Sequence, residues 1–249
     1  MDNLTVFSVS ALLLGGGLAA ASADVVELEP LKDNTLYQDP AGSLSNGAGS
    51  AMFAGRSSQA SNPIRRALVA FDVASAIPAG STIDQVSLAL TNSASNTNND
   101  SIVLHRVLAD WGEGTSVASG GQGGGAPATP GDATWLHRSF NSILWSNPGG
   151  DFSALASAAT DVAGPGVYTW SSSGLVADVQ SFLDTPSDNY GWILLGNEAA
   201  AGSAKKFSTG EETNVDARPR LVVEFTIPEP ATGLLAALAS IGTLALRRR

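Results

Sequence analysis

The chain has 249 residues, no cysteine and a formal charge of −10. That charge repels nucleic acid and attracts cations, which argues against a DNA or RNA partner. Without thiols there is no disulfide and no cysteine-held zinc, and 27 dispersed glycines with 12 prolines exclude collagen and disfavour long helices.

Leu4 to Ala21 is an apolar stretch ending in Ala21-Ser22-Ala23, the small-residue pattern that a signal peptidase accepts. Cleavage after Ala23 is expected, which makes residues 1–23 a signal peptide, although Met1-Asp2-Asn3 supplies only the amino-terminal positive charge. About 200 residues then remain before the tail, enough for one all-β domain with a real core.

Residues 25–28 and 51–54 read as strands, and 67–71, apolar on both faces, as a central one. Val86, Leu88 and Leu90 alternate with Gln85, Ser87 and Thr91, the pattern of a half-buried strand. The polar run 92–100 is an exposed turn or an adaptable binding loop, and 102–108 is another strand. Residues 119–131 hold six glycines and two prolines between Trp111 and Trp135, and predict a long surface loop.

Strands follow at 167–170 and 192–195. Between them Leu175, Val176, Val179, Phe182 and Leu183 share a helical face, with Ser172 or Ser173 to cap its start and Pro186 to stop it. Lys205-Lys206 reads as a solvated guard on an edge strand, and Leu221, Val223 and Phe225 alternate with Glu224 and Thr226 in a last strand. The fold expected over 24–227 is an all-β, antiparallel, jelly-roll-like sandwich with one short helix closing one end.

The chain closes with Pro228-Glu229-Pro230, an apolar run over 231–246 and Arg247-Arg248-Arg249. As a helix these 16 uncharged residues rise about 24 Å, short of a bilayer core of roughly 30 Å. A marginal hydrophobic helix of this kind suits a transient anchor, its arginines staying on the cytoplasmic side. The arrangement resembles the PEP-CTERM sorting signal of Gram-negative bacteria. The resemblance implies that an exosortase removes the 228–249 segment during export through the inner membrane, to the cell surface or extracellular matrix.

A second resemblance runs over most of 26–226. Its landmarks are Asp33 with Asn34-Thr35, Asn46-Gly47, the strand 66–72, the turn 78–80 and the strand 83–90. They continue in His105-Arg106-Val107, Asp110-Trp111-Gly112-Glu113, Thr134-Trp135 and Gly149-Gly150-Asp151-Phe152. Asn189-Tyr190-Gly191-Trp192 and Arg218-Pro219-Arg220-Leu221 complete the series. In this order they resemble the DNRLRE-type domain, an extracellular β-sandwich family that includes polysaccharide-binding modules. The glycine-stretched section before Thr134 departs from that family and offers no stacking platform.

For ligand contact, Trp111 and Trp135 offer flat apolar faces to sugar C–H groups, and Arg65, Arg66, Arg106 and Arg138 offer donors to an anionic polysaccharide. Packing in the core or rim is the competing role of the tryptophans, and salt bridges that of the arginines. Hard oxygen ligands for a structural calcium ion could come from Asp33, Asp72, Asp110 and Asp151, although no EF-hand spacing joins them.

His105 and His137 form no persuasive zinc set, and the sequence carries no nucleophile elbow, metalloprotease histidine pair or phosphate loop. Asp110 and Glu113 could in principle act as a carboxylate pair in sugar chemistry, yet their spacing fixes no catalytic distance. The expected function is therefore that of a secreted or surface-associated, noncatalytic polysaccharide-binding protein. The alternatives are a purely structural matrix or adhesion protein, and a polysaccharide-degrading enzyme.

Overall fold

Alternating apolar residues set the strands, and turns rich in glycine, proline and asparagine set their lengths. The computed structural model describes residues 23–228 apart from 62, 95 and 97. Ala21, Glu229 and Pro230 lie outside the described residues, as do nearly all of the expected signal peptide and the expected hydrophobic helix of the tail.

In chain order the elements begin β1 (Ala23–Leu28), β2 (Lys32–Tyr37), β3 (Leu44–Ser45), β4 (Ala51–Arg56) and β5 (Ile64–Ala70). A single helical turn, α1 (Val73–Ala76), then precedes β6 (Thr82–Asn92) and β7 (Asp100–Val107). Short strands β8 (Ala126–Pro127), β9 (His137–Ser139) and β10 (Ile143–Leu144) lead to β11 (Phe152–Val162) and β12 (Gly166–Trp170). The chain continues through α2 (Ser173–Asp184), β13 (Trp192–Leu195), β14 (Lys205–Ser208) and β15 (Arg220–Thr226).

All strand pairs among the described residues are antiparallel; β3 with β8 and β9 with β10 form separate two-stranded sheets, and the rest fall into two main layers. In one layer β15 lies between β1 and β6, and β6 also pairs with β12 and, at Asn92, with β14. In the other, the order is β11-β7-β13-β5-β2. Strand β4 joins them, with Ala51 to Ala54 pairing β14 and Gly55-Arg56 pairing β5. The switch falls at Gly55, whose φ of +120° disfavours side chains, and a Cβ there would stand 2.9 Å from Ala204 Cα. The result is the expected antiparallel, sandwich-like architecture.

Helix α2 is the expected amphipathic helix. Ser172 Oγ accepts from Leu175 N at 3.0 Å, while Leu175, Val179, Phe182 and Leu183 are buried against the sheets. The turn α1 was not expected from the sequence, because four residues are too few to show a period. Asp72 caps it through Ser75 N.

The strand β5 explains its doubly apolar composition. Ala67 and Val69 enter the core between the layers, with Trp170, Trp192, Phe182 and Phe207. Leu68 and Ala70 enter a second cluster on the opposite face, with Ile193, Trp111, Trp135 and Trp145. The long excursion between β7 and β11 thus seals the outer face of its sheet with three tryptophans, two of which keep a partner for the indole N–H. Trp111 Nε1 donates to Tyr190 O and Trp145 Nε1 to Thr134 O, both at 2.9 Å.

Candidate functional site

The crossover of β4 from one layer to the other opens a groove of about 440 Å³ beside it. Phe53 and the turn after β4 form one wall, Arg65 the floor, Asn96 and Lys206 the far wall, and Gly121 and Gly123 a lip. The two loops singled out in the sequence, 92–100 and 119–131, meet across it.

Local bonding fixes each part. Arg65 is only 3% exposed, its guanidinium lying 4.7 Å from the centre of the Tyr37 ring. It donates to Gly123 O at 3.1 Å, Ile64 O at 3.0 Å and Gln59 Oε1 at 3.2 Å. All of these acceptors are neutral, so no carboxylate cancels the charge. Burial lowers its pKa and the Tyr37 phenol opposes this, yet an arginine so placed remains protonated. Tyr37 OH in turn donates to Gln122 O at 2.9 Å and holds the glycine-rich lip.

On the far wall, Asn96 Nδ2 donates to Gly202 O at 3.2 Å and Ala204 O at 2.9 Å. Its Oδ1 accepts from Lys205 Nζ at 2.5 Å, and the same ammonium reaches Asn98 O at 2.5 Å and Ala163 O at 3.1 Å. Lys205 is therefore no solvated edge guard. Its side chain is fully buried, 3.6 Å from Asp100 Oδ2, and it ties the polar loop to β14. A sequence dipeptide does not tell which of two adjacent lysines points inward. Lys206, the outward one, lines the groove, and no Asp or Glu does so among its described residues.

The remaining sequence candidates are dispersed. Arg66 pairs with Glu198 at 2.7 Å, donates to Gly149 O and stacks 4.9 Å over Trp135. Trp111 is 3% exposed under Lys32 Nζ, which lies 4.4 Å from the ring centre. Arg106 donates to Ser181 Oγ beside Phe182, and Arg138 donates to Asp110 O. Of the six ligand candidates, only Arg65 stands in the groove.

The four aspartates are likewise apart in role. Asp72 caps α1, Asp110 pairs with Lys32 at 2.8 Å, and Asp151 accepts from Ser146 N and from both Asn147 N and Nδ2. Asp33 is buried in β2. Among the described residues, no three His, Cys, Asp or Glu side chains are gathered as a ready metal site. His105 Nδ1 lies 2.9 Å from Ser153 O and His137 Nδ1 lies 3.0 Å from Thr134 Oγ1.

The last strand runs straight into the address signal, since β15 ends at Thr226 and Pro228 follows after one residue. Residues 226–249 match the PEP-CTERM protein-sorting motif. The motif indicates export along the exosortase pathway and a cell-surface or extracellular location. The protein is thus an exported, predominantly β chain with an exosortase as sorting partner. A search of curated proteins found no match to the chain.

Proposed function

We propose that this exported domain is a noncatalytic binder of anionic extracellular polysaccharide, of the DNRLRE-type sandwich family, and that the groove beside Gly55 is its binding face. In this reading residues 24–227 are the mature body, freed by signal peptidase at the leader and by exosortase at the tail. One observation carries the assignment: the groove presents Arg65 and Lys206 with no carboxylate among its described lining residues, in a chain whose acidic residues outnumber basic ones 23 to 13. A uronate or sulfate ester entering there meets the positive charge of Arg65 and Lys206, while Gln59 and nearby serines offer hydrogen bonds to hydroxyl groups.

The test is binding of the purified exported protein to a polyuronate and to a neutral glucan, at two ionic strengths. Lys206→Ala should weaken polyuronate binding about tenfold, equal to roughly 1.4 kcal/mol for one charge-assisted contact, without lowering the melting temperature. Equal affinity for the neutral glucan would reject the charge assignment, and no binding at all would favour a purely structural matrix role. New reducing ends or unsaturated sugars in the mixture would reveal an enzyme instead.

A further inference from the structure

Asp33 poses a physical problem that the groove does not explain. It is 1% exposed, its Oδ2 accepts from Gly210 N at 2.8 Å, and its Oδ1 has no hydrogen-bond partner. Two further acids stand near it. Glu113 is tied to β2 twice, since its Oε1 accepts from Asp33 N and its carbonyl accepts from Asn34 Nδ2, both at 2.8 Å. Asn34 is itself pinned, its Oδ1 accepting from Thr35 N, Ser45 Oγ and Asn46 N. Glu211 follows Gly210 in the turn that holds Asp33.

Burial raises the Asp33 pKa well above the usual carboxylate value, Glu211 and Glu113 push it further, and only the Gly210 N–H opposes them. Glu113 is raised too, first by burial and then by Glu211, against the Asp33 N–H and, more weakly, Lys32. That lysine is already held by Asp110 Oδ1 at 2.8 Å and Trp111 O at 2.6 Å. A buried carboxylate with a bare oxygen beside two like charges is costly unless a cation or proton joins it.

We propose that Asp33 Oδ1 and Glu113 bind a divalent cation, with Glu211 adding negative charge. Hard oxygen donors in an exported chain select calcium over softer metals. Two anchored carboxylates are not a closed cage, and no set of three is gathered among the described residues, so the site belongs to the weak extracellular class with dissociation constants of roughly 10⁻⁴ to 10⁻³ M. Bound there, the ion would clamp β2, the segment carrying Glu113 and the turn after β14 to one another.

The experiment is thermal unfolding of the purified exported protein in EDTA and in calcium chloride. If the dissociation constant is about 10⁻⁴ M, roughly 10 mM calcium is a 100-fold excess and raises the melting temperature by about 5 to 10 °C. Asp33→Asn should abolish that rise and, in EDTA, should melt no lower than the wild type, because the repulsion is gone. Should that variant fail to fold, Glu211→Ala gives the second reading, a weaker calcium response in isothermal titration. A wild-type melting temperature that ignores calcium, or an Asp33→Asn protein that keeps the full response, overturns the proposal.

Discussion

Replacing Lys205 by methionine tests the polar loop most directly. The lysine side chain is fully buried and Asp100 is 7% exposed, so the substitution leaves a carboxylate in the interior with Asn197 Nδ2, at 2.9 Å, as its remaining donor. Breaking a buried pair from one side costs about 3 to 5 kcal/mol, because the stranded charge keeps its desolvation penalty. For a chain of this size that corresponds to a melting temperature lower by about 6 to 20 °C. Joining Lys205→Met to Asp100→Asn removes both charges, so the double variant should recover much of the loss. Urea denaturation of the four proteins of the cycle supplies the coupling energy. If Lys205→Met alone costs under about 1 kcal/mol, as for an exposed pair, or if the two losses simply add, the loop is not held as described.

Two further outcomes follow from the same physical terms. In EDTA, Asp33 binds its proton more tightly when folded than when unfolded, so stability should fall as pH rises from the ordinary aspartate value of 3.8 through the raised folded value. The cause is burial first, then Glu211 and Glu113; Asp33→Asn should flatten that part of a stability-against-pH curve, and an unchanged slope would contradict it. Gly55→Ala should cost about 1 to 3 kcal/mol in chemical denaturation, since the residue sits at φ +120° and its new Cβ would meet Ala204 Cα at 2.9 Å. A neutral substitution there would mean that β4 crosses between layers without needing glycine.

The fold was legible wherever a side-chain period ran long enough. Val86, Leu88 and Leu90 face one core as their alternation requires, and the doubly apolar 67–71 segment proves to be covered on both sides. The helix was legible because Leu175, Val179, Phe182 and Leu183 fix a face over two turns and Ser172 supplies the cap. The site was less so. Its lining draws on Phe53 and Arg65, Ser93 and Asn96, Gly123, and Lys206, stretches of chain that only the strand pairing brings together. Residue type marked Arg65 and Arg66 alike, but neighbouring strand positions face opposite ways, one toward the groove and the other toward Glu198 and Trp135. The same parity separates Lys205 from Lys206, and a single pair of letters cannot supply it. Residue type marks Asp33 and Glu113 as acids of interest, but their separation by 80 positions, and that of Asp33 from Glu211 by more, hides that they meet.

The register of β1, β15 and β6 has a consequence for display. Ala23 pairs with Thr226, and Thr226 pairs with Thr82, so the start of β1 and the sorting motif share one corner of the body, at the start of β6. Ser93 and Ala94, on the groove, follow the other end of that 11-residue strand, roughly 30 Å away at the usual rise per residue. The sorting motif therefore begins at the end of β6 opposite the one that leads into the groove, so a partner engaging Pro228 need not cover Ser93 or Ala94.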